Sequence, residues 1–222
     1  MKKSQKIINI LLAVAILAGD VVYIINSHIV AKSITSLLFV ALGAVNLFFA
    51  IKEKTPIKKF CIIMVVGLFF AMLGDIVLEI EFIVGALLFA TGHLFYFAAY
   101  CTLQKFSIKN LIPSVCIFIP ATLLIVLAPI FDFGGLLMEF VCIFYALIIS
   151  VMVGKSISNY IKEKSLFNLI IMIGSILFMF SDIMLLFNVF ASVPRIFGIL
   201  CLSTYYPAEI LLALSISLTN KK

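Results

Sequence analysis

Charge is what this sequence has least of. Only 12% of its 222 residues are charged, against 65% hydrophobic, and the mean hydropathy is +1.32. A soluble domain carries roughly a quarter charged residues. So little charge excludes a soluble fold and leaves no room for a separate soluble domain. Histidine is nearly as scarce, with His28 and His93 alone, so a zinc centre built on a histidine triad lacks its ligands. None of Cys61, Cys101, Cys116, Cys142 and Cys201 forms a C-x-x-C pair, and all lie in or beside apolar runs. They read as small buried hydrophobes rather than a disulfide framework or a thiolate metal site. The net charge of +6 does not point to nucleic acid, because the lysines sit in short links between apolar runs.

What is present is apolar sequence in lengths that span a bilayer. Such runs lie near 7–26, 34–51, 60–80, 83–103, 110–128, 136–153, 167–187 and 196–218. They predict an all-α integral membrane protein of eight transmembrane helices, forming a single polytopic domain over 1–222. The second and sixth runs are at the short end. Lysines before the first run resemble a signal-peptide start, but about 20 apolar residues make a span rather than a signal core, so an uncleaved first helix is expected.

Placing both termini in the cytoplasm puts fourteen of the sixteen basic residues on that side: Lys2, Lys3, Lys6; Lys52, Lys54, Lys58, Lys59; Lys105, Lys109; Lys155, Lys162, Lys164; Lys221 and Lys222. Only Lys32 and Arg195 fall outside. The abundance of Lys, Ile, Asn and Phe suggests an AT-rich bacterial genome, and hence a bacterial cell membrane.

Against that background five acidic residues stand inside the runs: Asp20, Asp75, Glu79, Asp182 and Glu209. Ionisable groups within a span are costly and mark working sites. Asp75 and Glu79 are four apart and share a helix face, as do His93 and Tyr96, three apart on the next helix. Counting from the outer ends of their runs, Asp20, Asp75 and Asp182 fall in one layer roughly 8–10 Å deep. His93, Tyr205 and Glu209 fall deeper. The pattern describes a polar cavity that opens outward and narrows inward. Gly74-Asp75-Ile76-Val77-Leu78 has an echo in Ser181-Asp182-Ile183-Met184-Leu185 four helices later, and parallel repeats of this kind build sites at their interface. The pairs Gly67/Gly74 and Gly85/Gly92 each line one helix face and suit close packing. Pro207, beside Tyr205 and Glu209, is expected to bend the last helix into an irregular wall.

The G-D-x-x-L of the third span, the G-x(6)-G-H-x-x-Y of the fourth, the S-D-x-x-L of the seventh and the Tyr-rich start of the eighth resemble the YhhN-like family of lysoplasmalogenases. The resemblance covers most of the chain. It implies hydrolysis of the vinyl ether bond of a lysoplasmalogen to a fatty aldehyde and a glycerophospho-base. It also implies that Asp75 and Asp182 are the catalytic aspartates, and that His93, Tyr96 and Tyr205 occupy family motif positions. Glu209 stands where a glutamine is expected in that family.

The residues suit the chemistry. A vinyl ether hydrolyses by protonation at carbon, so it needs one carboxyl that holds a proton near neutral pH and one carboxylate to stabilise the cation, the division of labour seen in glycosidases. Glu79 and Asp20 are candidate supporting residues, His93 or Tyr96 candidate hydrogen-bond partners of the leaving oxygen or water, and Arg195 a candidate phosphate contact or interfacial anchor. No cofactor is called for. A divalent cation on Asp20, Asp75, Glu79 and Asp182 is the competing chemistry, since hard cations take oxygen ligands. The expected partners are a lysophospholipid substrate and membrane lipids. A proton- or cation-coupled transporter or lipid-binding protein would use the same carboxylates, and a purely structural membrane protein would tolerate their replacement by amides.

Overall fold

The computed structural model describes residues 3–221, so Lys2 and Lys222 of the expected cytoplasmic set lie outside the described residues. Among the described residues eight α-helices form: α1 Lys3–Asn26, α2 Ile29–Lys52, α3 Lys58–Leu78, α4 Phe82–Leu103, α5 Leu111–Leu127, α6 Leu136–Lys162, α7 Leu166–Phe190 and α8 Ile196–Ser215. All eight are long and apolar enough to cross a membrane, and the chain is an integral multi-pass membrane protein. A 3-10 turn over Ile108–Asn110 precedes α5, and another over Ile216–Lys221 follows α8. Among the described residues there is no β-strand, only a bridge between Phe131 and Ala191.

The short links are closed by side chains that satisfy helix-end amides. Glu81 caps α4 by accepting from Ile83 N at 3.3 Å and Val84 N at 2.6 Å. Ser165 accepts from Asn168 N at 3.2 Å at the start of α7. Gly134 and Gly135 take positive φ in the longer α5–α6 link, where a side chain would be strained.

Packing follows the small residues. α3 lies closest to α4, and α7 to α8. A Cβ on Gly67 would meet a Tyr96 ring carbon at 2.5 Å, and one on Gly92 would meet the Gly67 carbonyl at 3.2 Å. Glycine at these positions is what lets α3 and α4 touch by backbone and tucks Tyr96 between them. The interior is filled by Phe39, Leu42, Met64, Leu68, Met152 and Leu212, all fully buried. α1 and α5 bury least of their length, so they form the periphery of the bundle.

Three expectations are corrected. The sixth helix is the longest rather than a short one. Its last turns, read as cytoplasmic loop, stay helical because their polar groups are partnered: Asn159 Nδ2 donates to Tyr100 O at 3.0 Å, and Lys155 Nζ donates to Lys105 O at 3.4 Å and Asn110 Oδ1 at 3.3 Å. The second helix begins at Ile29, which brings Lys32 into the bundle instead of leaving it in a loop. The last helix runs unbroken through Pro207, so Tyr205 to Glu209 form a regular wall.

Candidate active site

The polar site lies at the end of the bundle opposite the chain termini, where α1, α3 and α7 finish and α2, α4 and α8 begin. Asp75, one turn before the end of α3, is 2% exposed. Its Oδ2 accepts from Ser36 Oγ at 2.5 Å and from the Tyr205 hydroxyl at 2.8 Å, while Oδ1 lies 3.8 Å from Lys32 Nζ. Both hydrogen-bond partners donate to this carboxyl and an ammonium stands beside it, an environment that accommodates negative charge.

Lys32 ties this cluster to the mouth. Its ammonium is buried and donates to Glu79 Oε1 at 2.7 Å, and it lies 5.5 Å from the centre of the Tyr23 ring. The Tyr23 hydroxyl donates to the same Glu79 oxygen at 2.7 Å. Glu79 follows the last residue of α3 and its side chain is 37% exposed. Partial burial alone would raise its pKa, but the Lys32 charge and the hydrogen bonds from Lys32 and Tyr23 outweigh it and hold the carboxyl below the usual glutamate value.

Asp182 has a different set of partners. The Tyr145 hydroxyl of α6 donates to its Oδ2 at 2.9 Å and lies 2.8 Å from His93 Nε2, with the imidazole itself 3.5 Å from the carboxylate. His93 is 1% exposed and wedged edge-on against Phe178 at 4.6 Å. Each aspartate thus takes a partner from the second helix of the other hairpin, Asp75 of α3 from α8 and Asp182 of α7 from α4. A turn deeper, the Tyr96 hydroxyl donates to Glu209 Oε2 at 2.7 Å, and both side chains are fully buried.

Two cavities share part of their lining here. One, of about 340 Å³, has a polar wall that includes Tyr23, Lys32, Asp75, Glu79, Asp182 and Tyr205. The other, of about 370 Å³, is apolar and runs between α4, α5, α6 and α7, past Ala86, Ala121, Ile125, Ala146 and Leu186. Leu78, Phe82, Phe89, Asp182 and Leu185 line both, which makes Asp182 the one ionisable group at their junction. A polar chamber that shares a wall with an apolar groove suits a ligand with a polar head and a hydrocarbon tail.

The structure therefore brings Asp75, Asp182, Glu79 and Tyr205 to one cavity, with His93 directly behind Asp182 and Tyr96 with Glu209 below. It does not bring Asp20 or Arg195. Asp20 is buried in α1 but lines neither cavity. Arg195 Nη2 donates to Ile24 O at 2.5 Å, so its guanidinium caps the last turn of α1 instead of facing the chamber. The expected common layer is also revised. Asp75 lies about 4.5 Å of rise from the end of α3 and Asp182 about 12 Å from the end of α7, because α7 runs on to Phe190.

Without Asp20 the four-carboxylate cation site is not assembled, and among the described residues no group of three or more His, Cys, Asp and Glu is placed to hold a metal ion. Four residues of the site were not foreseen, Tyr23 among them. Lys32 had a signal, as the only lysine outside the cytoplasmic alternation. Ser36, one turn on from Lys32, shares its helix face. Tyr145 had none beyond a polar tip in an apolar run.

Compared with known protein families, residues 27–216 match the YhhN family. No curated protein and no solved structure matches the chain.

Proposed function

The chain belongs to the YhhN family, and on that premise we propose that it is a membrane hydrolase that cleaves the vinyl ether bond of a lysoplasmalogen. The observation that carries the proposal is the position of Asp182, at the junction of a polar chamber and an apolar groove. In a lysoplasmalogen the vinyl ether sits at the same junction, between the glycerophospho head and the alkyl tail. A head in the chamber and a tail in the groove bring that bond to Asp182, with Asp75 lining the same chamber.

The lysine divides the roles. Both aspartates accept from a tyrosine hydroxyl, but Asp75 also stands 3.8 Å from the Lys32 ammonium, so in this reading it is the ionised partner. Asp182 is the acid. Its proton goes to the β-carbon of the alkenyl group as the double bond opens, leaving an oxocarbenium ion that the Asp75 carboxylate stabilises. Water adds to the α-carbon and gives a proton to Asp182, which restores the acid. The hemiacetal hydroxyl proton passes to the glycerol oxygen, the C–O bond breaks, and the fatty aldehyde and the glycerophospho-base separate. Tyr145 and His93 orient Asp182. The tyrosine hydroxyl has one hydrogen, so it can donate to one neighbour while accepting from the other. The lysine distribution supports cytoplasmic termini, so the chamber opens to the far side of the membrane.

Purified protein in nanodiscs, given a lysoplasmalogen and its ester-linked counterpart, is expected to release fatty aldehyde from the first and nothing from the second. Replacing Asp182 by Asn is expected to lower the rate roughly 10²–10⁴-fold, the usual contribution of a positioned acid. Full activity in both Asp75→Asn and Asp182→Asn would remove the aspartates from the mechanism.

A further inference from the structure

We propose that Glu209 is a neutral carboxylic acid in the folded protein, and that its proton makes the join between α8 and α4 sensitive to pH. The inference goes beyond the reaction proposed above and does not depend on it. Glu209 lies about 20 Å of rise below Ile196, the outer end of α8, and none of it is exposed. Its Oε2 accepts from the Tyr96 hydroxyl at 2.7 Å, while Oε1 is buried with no hydrogen-bond partner among the described residues. An ionised carboxyl can accept about four hydrogen bonds, and a buried one is stable only when paired or well bonded. One donor leaves it far short. The acid form fits the same geometry. Its carbonyl oxygen takes the tyrosine hydrogen, and its hydroxyl occupies the Oε1 position. A neutral hydroxyl without a partner costs far less there than a bare charge.

No cation makes up the difference. The titratable groups within electrostatic reach of Glu209 are Asp75 of α3, Tyr96 and Tyr100 of α4, Tyr145 of α6, Asp182 of α7 and Tyr205 of α8 itself. The tyrosines are uncharged, and an ionised aspartate would only repel a second anion. α1 and α2 also pack against α8, and their titratable groups in this half of the bundle are Asp20, Tyr23 and Lys32. All three stand nearer the mouth, where Lys32 is engaged by Glu79 and Asp75. Unfolding carries Glu209 into water, where a glutamate ionises above about pH 4.3. Above that value the folded chain holds one more proton than the unfolded chain, so the stability this group contributes falls as pH rises. The fall is about tenfold in the unfolding equilibrium per pH unit, until the folded acid itself ionises. Rising pH therefore loosens the floor where α8 meets α4.

The test compares full-length wild type with Glu209→Gln, whose amide keeps the size of the acid and an oxygen for Tyr96. Equilibrium unfolding in mixed micelles is followed from pH 5 to pH 9. The ratio of the two unfolding constants is expected to change about tenfold per pH unit, the wild type losing ground as pH rises. A ratio that stays constant over that range overturns the proposal. A second measurement holds if the glutamine variant does not fold. Infrared spectra of wild type and Tyr96→Phe in nanodiscs at pH 7 are compared in the region of protonated carboxyl carbonyls. Removal of the Tyr96 hydroxyl frees the Glu209 carbonyl of its hydrogen bond, so one acid band is expected to move to higher frequency. Acid bands that coincide in the two proteins overturn the proposal. Neither measurement uses a substrate, so a protein that releases no aldehyde removes the hydrolase and leaves this inference standing.

Discussion

Tyr145→Phe removes one oxygen atom and little else. That oxygen lies 2.8 Å from His93 Nε2 and 2.9 Å from Asp182 Oδ2, so a single deletion breaks both bonds. The two groups left behind are 3.5 Å apart, too far for a short hydrogen bond in their present positions. His93 is 1% exposed, so bulk solvent does not replace the lost partner. A hydrogen bond to a charged group is worth about 1.5–3 kcal/mol, and an orphaned buried polar group costs about 1–3 kcal/mol. If the hydroxyl orients Asp182 for proton delivery, about 1.5–3 kcal/mol of that difference falls on the transition state, and kcat falls about 10–100-fold. The apolar groove keeps its shape, so KM changes little. The assay is aldehyde release from lysoplasmalogen by purified wild-type and variant protein, coupled to an aldehyde dehydrogenase, with thermal unfolding run in parallel. Wild-type kcat in a variant that has lost thermal stability would refute the orienting role, because the hydroxyl would then be serving the packing alone.

The remaining predictions concern packing, charge and the tail. Gly67→Ala places a methyl group 2.5 Å from the Tyr96 ring, and overpacking of this kind is expected to cost about 1–3 kcal/mol, read as a lower unfolding temperature. Glu79 has its pKa depressed in the folded protein, so the stability it contributes is present above the unfolded glutamate value and is lost as pH falls through the lower folded value. Thermal unfolding from pH 7 down to pH 3.5 is therefore expected to steepen in the wild type and flatten in Glu79→Gln. Ala121→Phe fills the apolar groove and is expected to raise KM for long-chain substrates while sparing short-chain ones, measured across a chain-length series.

The spans were legible because their signal is a one-dimensional property, apolar length, which the bilayer imposes whatever the neighbours do. Asp75 and Asp182 were legible for a related reason, since a carboxyl inside such a run is costly enough to stand out alone. Several misreadings involve lysines, arginines and tyrosines, whose meaning depends on a partner far away in the chain. Lys155 looked like loop charge until Lys105 and Asn110 gave its ammonium acceptors. Lys32 looked like an outlier of the orientation rule, yet its partners are Asp75 and Glu79 on another helix. Tyr145 is meaningful only through His93 and Asp182, on two other helices. Asp20 shows the converse error. Its Gly-Asp pair matches that of Asp75 in sequence, but its helix is peripheral and carries it away from both cavities.

The transporter reading uses the same carboxylates, and the floor of the chamber is where the two readings part. A coupled transporter needs the site to reach both faces in turn. Beneath Tyr205 the interior toward the termini is closed by Leu42, Met64, Leu68 and Leu212, none of them exposed, in one continuous apolar cluster. Several of its buried polar groups are paired across helices: Tyr96 with Glu209 Oε2, Tyr100 with Ser175, and Gln5 with Asn46. Opening such a floor would break packing on three helices at once. The side opening between α4, α5, α6 and α7, by contrast, already exists and runs past α5, the helix that buries least. A lipid that enters and leaves sideways through that groove needs no second face. Sealed proteoliposomes separate the readings: aldehyde formation with no solute or proton flux supports lateral substrate entry, and flux without cleavage refutes it.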